Sequence, residues 1–167
     1  MTKLFKHWIV VPTTLAAILA SVVPIRAETL EIRPKFEPDP LVVRGTSGGS
    51  KDSQGCGKIG TAPNLVMNLS NNFNYLRLEV QSEGQPTLLI QSPSGSLSCV
   101  LYDSSSGNTI QSSGFWELGT YLLYIGDRTG EQHPYTLSIT QVRPKVKREA
   151  KSIGSSVKLL PGSSLSR

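Results

Sequence analysis

Histidine and cysteine are almost absent from this sequence. Of 167 residues, two are His and two are Cys, and beyond residue 27 His133 is the single imidazole. That leaves too few nitrogen ligands for a His-rich zinc centre and one candidate base for any hydrolytic triad. Long apolar runs are missing after residue 27, and none approaches the ~20 residues that span a bilayer core. No stretch of the later chain keeps an apolar period of 3.6, so long amphipathic helices are not expected, and there is no internal repeat. A surplus of positive charge is also missing where it would matter. The net charge of +5 and the pI of 9.4 suggest a nucleic-acid binder, but residues 28–141 hold seven basic and eleven acidic residues. A basic groove for nucleic acid is therefore not expected on the folded part.

The surplus charge sits at the two ends. Lys3 and Lys6 precede Trp8–Val23, which carries no charge, and then come Pro24-Ile25-Arg26-Ala27. Positive, apolar and small-residue segments in that order make residues 1–27 an expected signal peptide, too short and too interrupted by Pro12 for an anchor. No Cys lies near the junction, so no lipid attachment is expected, and the mature chain is placed in the periplasm or outside the cell. Residues 142–167 carry seven basic residues, one acid and no aromatic. Such a composition cannot offset its ordering entropy, so a basic disordered tail, able to contact anionic surfaces, is expected.

What lies between has the period of strands. Residues 28–40 contain Pro34, Pro38 and Pro40 and read as an extended lead-in; residues 41–141 form the expected domain. In Tyr75–Gln81, Leu76, Leu78 and Val80 alternate with Arg77, Glu79 and Gln81, and Tyr135–Thr140 alternates likewise. Each reads as a half-buried strand. Tyr121–Ile125 is apolar on both faces and predicts a central strand, with shorter candidates at 41–44, 65–69, 87–91 and 97–102. Turn formers separate them, among them Ser-Pro-Ser-Gly at 92–95 and Asp-Arg-Thr-Gly at 127–130. The spacing predicts an all-β fold, an antiparallel β-sandwich of seven to nine strands. Cys56 and Cys99, an even pair in a chain expected to be exported, predict one disulfide.

Several motifs look chemical. Gly45-Thr46-Ser47-Gly48-Gly49 has the Gly-x-Ser-x-Gly form of a nucleophile elbow, which needs a strand turning sharply into a helix. Here it runs into Ser50-Lys51-Asp52-Ser53, a loop, so a serine hydrolase using Ser47 and His133 is kept only as the alternative. Gly55-Cys56-Gly57-Lys58-Ile59-Gly60 fits a dinucleotide fingerprint by letter but precedes Thr61-Ala62-Pro63 and no helix, and reads as a turn that lets Cys56 reach its partner. Asp103 with Asn108, and Asp127 with Glu131, form oxygen-rich loops; Asp103, Asp127 and Glu131 are the calcium candidates, each loop offering few of the six or more oxygens that calcium takes. Trp116, Tyr121, Tyr124 and Tyr135 either fill the core or stack on a ligand, and alternation, which puts Tyr121 and Tyr124 on opposite faces, favours the core.

Taken together in order, several stretches resemble the bacterial pre-peptidase C-terminal type domain, in the form carried by small exported proteins. They are Asp39–Gly49, Gly55-Cys56-Gly57, Asn74–Val80, Thr87–Ile90, Pro93-Ser94-Gly95, Cys99, Gly107-Asn108, Trp116, Gly119-Thr120-Tyr121, Tyr124-Ile125-Gly126 and Pro134–Leu137. The resemblance implies a jelly-roll-like sandwich without catalytic function, binding calcium in some relatives. Members that match better carry acidic residues two and three places after the second cysteine, where this chain has Leu101 and Tyr102. No cofactor is therefore expected, with calcium the one metal for which candidates exist. The functional expectation is a non-catalytic exported binding module for an envelope polymer or envelope protein, with Asp103, Asn108, Trp116 and Asp127 facing the ligand. The alternatives are the hydrolase and a purely structural envelope component.

Overall fold

The computed structural model describes residues 27–144 and shows two β-sheets packed face to face. The expected signal peptide and most of the expected tail lie outside the described residues. Eleven strands follow in chain order: β1 Glu28–Ile32, β2 Leu41–Thr46, β3 Lys51–Asp52, β4 Lys58–Ile59, β5 Leu65–Leu69, β6 Phe73–Ser82, β7 Pro86–Gln91, β8 Leu97–Leu101, β9 Thr109–Trp116, β10 Gly119–Asp127 and β11 Pro134–Thr140. The larger sheet runs β1-β5-β10-β7-β8, with the short β3–β4 pair joined to β10 at Asp127↔Lys58. The smaller runs β2-β11-β6-β9. Every pairing is antiparallel except β1 with β5, which run parallel.

Strand alternation places the core. Leu76, Leu78 and Val80 of β6 and Leu137 and Ile139 of β11 are fully buried from one sheet; Leu65 and Met67 of β5, Leu88 of β7, and Leu123 and Ile125 of β10 meet them from the other. Each such side chain contributes about 1.5–3 kcal/mol of transfer free energy when removed from water. β10 is central, as its two apolar faces predict: it pairs with β5 along residues 119–123 and with β7 along 122–127. On its outward face Tyr124 packs against a second, smaller cluster of Cys56, Ile59 and Leu89, where the loop before β4 folds over the larger sheet. The Cys56–Cys99 disulfide forms, with the Cα atoms 5.8 Å apart, and ties that loop to β8.

Eleven strands exceed the expected seven to nine. Two of the additions, β3 and β4, are two-residue pairs too short to show a period. The lead-in supplies another, since Ile32 is buried and Leu30 packs against the core. β9 contains Ser112, Ser113 and Gly114, poor strand formers that give no local signal. It is held by its long pairing with β6.

Candidate interaction surface

One side of the sandwich is unlike the rest. β8 ends the larger sheet and pairs only with β7, while β9 ends the smaller and pairs only with β6, and the two edges lie alongside one another. From Gly84 to Trp116 the sequence contains a single charged residue, Asp103. The register Leu97↔Gln91 and Leu101↔Thr87 sends Leu97, Cys99 and Leu101 to the outer face, and Val100, between them, packs against the core. Leu97 is consequently 66% exposed and Leu101 46%. Across the gap Phe115 is 59% exposed; Leu118, in the turn after β9 and outside the lining of the gap, is 60% exposed. A cleft of about 240 Å³ opens between the edges, with Leu97, Ser98, Ser112 and Phe115 on its walls and Trp116 and Tyr121 in its lining.

Those two aromatics are held firmly. Their rings meet edge to face at 4.9 Å, Trp116 Nε1 donates to the Leu76 carbonyl at 3.1 Å, and the Tyr121 hydroxyl donates to the Glu117 carbonyl at 3.1 Å. Burial pushes the Tyr121 phenol above its ordinary pKa; the bond to Glu117 opposes this, and the Glu117 charge adds to it. With their polar atoms satisfied, both rings act mainly as apolar surface. The lining of the cleft is therefore preformed, and it mixes apolar side chains (Leu97, Phe115) with serines (Ser98, Ser112) and no charged group. An arrangement of this kind can bind by shape and exclusion of water, and it holds no acid–base pair.

The residues singled out in the sequence are scattered. Asp103 is exposed and caps the short turn Ser104–Ser106, accepting from the Ser105 amide at 2.9 Å, a bond that lowers its pKa. Asn108 is exposed, and its carbonyl accepts from the Ser82 amide. Trp116 is 7% exposed and belongs mainly to the core. Asp127 is fully buried: Oδ2 accepts from the Gln85 amide at 2.8 Å, and Oδ1 from the amide and hydroxyl of Thr129 at 2.7 and 2.6 Å. Both its oxygens are used in tying the β6–β7 turn to the turn after β10. Glu131 is exposed, 3.3 Å from His133 Nε2. Among the described residues no three His, Cys, Asp or Glu side chains gather where a metal ion could be held.

Ser47 and His133 do meet, through the main chain. Ser47 is fully buried, and both its amide (2.8 Å) and its hydroxyl (3.1 Å) donate to the His133 carbonyl oxygen. The surrounding glycines have a packing reason. A Cβ on Gly48 would strike the Glu131 carbonyl, one on Gly49 the Ile59 carbonyl, and one on Gly57 would lie 2.6 Å from the Asp127 carbonyl. The elbow-like and fingerprint-like motifs are thus places where three loops touch backbone to backbone. Beside them lies a larger cleft of about 650 Å³, lined by those loops with Glu28, Arg44, Asn64 and Tyr135. Burial raises the Tyr135 phenol pKa; an Asn64 hydrogen bond lowers it, and Glu28 raises it further.

Sequence reading missed Leu97, Leu101, Phe115 and Leu118 as surface residues. The near-absence of charge from 84 to 116, where Asp103 is the one charged residue, was the available signal, because edge strands facing water ordinarily carry charge.

A disulfide-tied, all-β sandwich with exposed apolar side chains along one pair of sheet edges is the class of protein that these features define. The chain belongs to the family of an uncharacterized protein of Synechococcus elongatus, with which it is 38% identical over 127 residues, covering 73% of this chain and 91% of that one. No family model matches it. Among solved structures it is similar to the pre-peptidase C-terminal domain of a Bacillus anthracis collagenase, at 16% identity and a TM-score of 0.47, covering 69% of this chain and 97% of that one. This is the domain type that the sequence motifs resemble. It is also similar to a periplasmic inhibitor of g-type lysozyme from Aeromonas hydrophila, at 13% identity and a TM-score of 0.36, covering 69% and 98%.

Proposed function

We propose that this chain is an exported, non-catalytic binding module that takes an envelope protein or envelope polymer at the β8–β9 side. The observation that carries this reading is the exposure of Phe115 and Leu97 on a preformed cleft whose lining is uncharged, with Leu118 exposed two residues beyond the lining residue Trp116. Large apolar side chains grouped at a surface mark interaction sites more often than single ones do. Export is supported by the disulfide, which persists in oxidising compartments, and by the order of segments in residues 1–27. The non-catalytic part is supported by Ser47, whose hydroxyl is buried and engaged with a carbonyl instead of an imidazole. The basic residues of 142–167 would add a weaker, charge-based attachment to anionic surfaces.

Retention of envelope components on the immobilised full chain tests this reading, with and without calcium. Phe115→Ser with Leu118→Ser should abolish retention while leaving the thermal midpoint within a few degrees of the parent. Equal retention by parent and variant would overturn the assignment of the site, and hydrolysis of an envelope polymer lost in Ser47→Ala would overturn the non-catalytic reading. Calcium should make no difference; a calcium-dependent gain would instead place a metal in the loops of Asp103 or Asp127.

A further inference from the structure

We infer that β8 is the pairing edge of a symmetric homodimer, in which the β8 strands of two copies join antiparallel and make one continuous sheet. The ends of the two sheets differ in how they are protected. β1 carries Glu28 and Glu31, β2 carries Arg44, and the outlying β3 is Lys51-Asp52. β9 is regular over Thr109–Gly114, but its register with β6 is broken between Phe73 and Leu76, at the end that carries Phe115 and Trp116. Charge and irregularity are the usual means of keeping an edge from accepting another strand. β8, Leu97-Ser98-Cys99-Val100-Leu101, has no charge and no proline, and it holds an unbroken five-residue register with β7. Its free side offers main-chain donors and acceptors that only another strand can satisfy in a regular way.

The occupant is indicated by the order of residues in the strand itself. A two-fold axis through Cys99 sets Leu97 of each copy opposite Leu101 of the other, on the same outer face. Both are now exposed, and Ser98 meets Val100. The two apolar pairs are identical, and no like charges meet across the axis, as an isologous contact requires. The disulfide does not obstruct it. The loop carrying Cys56 lies over β7, where Thr87 Oγ1 donates to the Cys56 carbonyl at 2.7 Å, so the far side of β8 stays open. Each copy has one β8 and the two-fold contact uses both, so it closes at two copies and does not propagate into a fibre. Phe115 would flank the new sheet on the β9 side.

Sedimentation equilibrium of the full chain, across concentrations up to about 0.1 mM, should give twice the chain mass. Leu97→Lys with Leu101→Lys places cations opposite one another and should lower the association constant by about tenfold or more. Leu97→Glu with Leu101→Lys is the decisive variant. Within one strand the two substituted positions are ~13 Å apart and cannot pair, but across the axis each carboxylate meets an ammonium. This variant should regain the dimer and lose it again in high salt. A wild-type monomer throughout the range would overturn the inference, as would a dimer that the double-lysine variant leaves intact. Failure of the charge-swapped variant to recover, with its thermal midpoint unchanged, would overturn the antiparallel register. None of these outcomes depends on the envelope ligand, whose test substitutes Phe115 and Leu118.

Discussion

At the scale of single residues, the loops of one end are fitted together with almost no slack. Gly84 sits where a Cβ would run into the Asp127 carboxylate and the His133 ring, with Nε2 at 2.8 Å. Gly84→Ala should therefore cost about 1–3 kcal/mol through overpacking, read as a lower urea midpoint at an unchanged slope. An unaltered midpoint would mean that the ring and carboxylate move aside freely. Asp127→Asn is a different kind of lesion. The native carboxylate accepts three hydrogen bonds through both oxygens, whereas an amide must turn an NH2 group towards one of those donors. A loss of about 1–3 kcal/mol is expected for the donor left unsatisfied in the interior. If Asp127→Asn unfolds at the parent's urea concentration, the carboxylate is not needed to close these turns.

At the scale of elements, the disulfide fastens the edge strand β8 to the loop over β7. It closes a separation of 43 residues, and the loop-entropy account assigns it about 4 kcal/mol. Cys56→Ser with Cys99→Ser should lower the thermal midpoint by about 10 °C or more for a domain of this size. A shift of one or two degrees would show that the cluster of Ile59, Leu89 and Tyr124 holds the loop unaided. How much of this was legible in the sequence differs from element to element. β6 and β11 were plain, because Leu76, Leu78, Val80, Leu137 and Ile139 alternate and all end in the core. β10 was equally plain, since only a central strand keeps both faces apolar, and the Cys56–Cys99 pair followed from count and compartment. β9 was hidden by Ser112, Ser113 and Gly114, whose strand conformation comes from a neighbour distant in sequence. The parallel pairing of β1 with β5 could not be read locally, because it joins Glu28–Ile32 to Leu65–Leu69 and the intervening prolines suggest a plain connector. The interaction surface was the least legible part. Residues with chemistry, such as Asp127 and Ser47, stand out in the sequence, yet these are the ones spent on internal hydrogen bonds.

At the scale of the whole molecule, stability should depend on pH at the alkaline end. Tyr121 and Tyr135 both have raised pKa values, chiefly through burial. Their contribution is fully present below the unfolded tyrosine pKa of about 10 and is lost as pH rises through the higher folded values. The thermal midpoint should therefore fall above about pH 10, and absorbance titration should show Tyr121 and Tyr135 ionising late. An absorbance change unaltered by Tyr121→Phe with Tyr135→Phe above about pH 10 would refute this. Asp52, lowered by the Gln54 amide and then by Lys58, and Asp103, lowered by Ser105, act with the opposite sign. What they contribute is present above the unfolded aspartate pKa and lost as pH falls, but both are exposed, so their share should be small. Charge is also divided along the chain, with residues 28–141 net negative and the basic surplus at the ends. The full chain should bind anionic vesicles at low salt and release them as salt rises, since screening acts over about 8 Å at physiological ionic strength; a chain ending at Gln141 should not bind. Equal binding by both would remove the basic residues from any such role. The loop contacts at Gly48, Gly49 and Gly57 carry one further consequence, for how this family can diverge. Where backbone lies against backbone, neither a side chain nor an inserted residue finds room, so length and composition there are constrained together. Gly95, in the turn between β7 and β8, has open space around it. Relatives should differ in length at that turn, and a label or a fused peptide placed there would meet the least resistance.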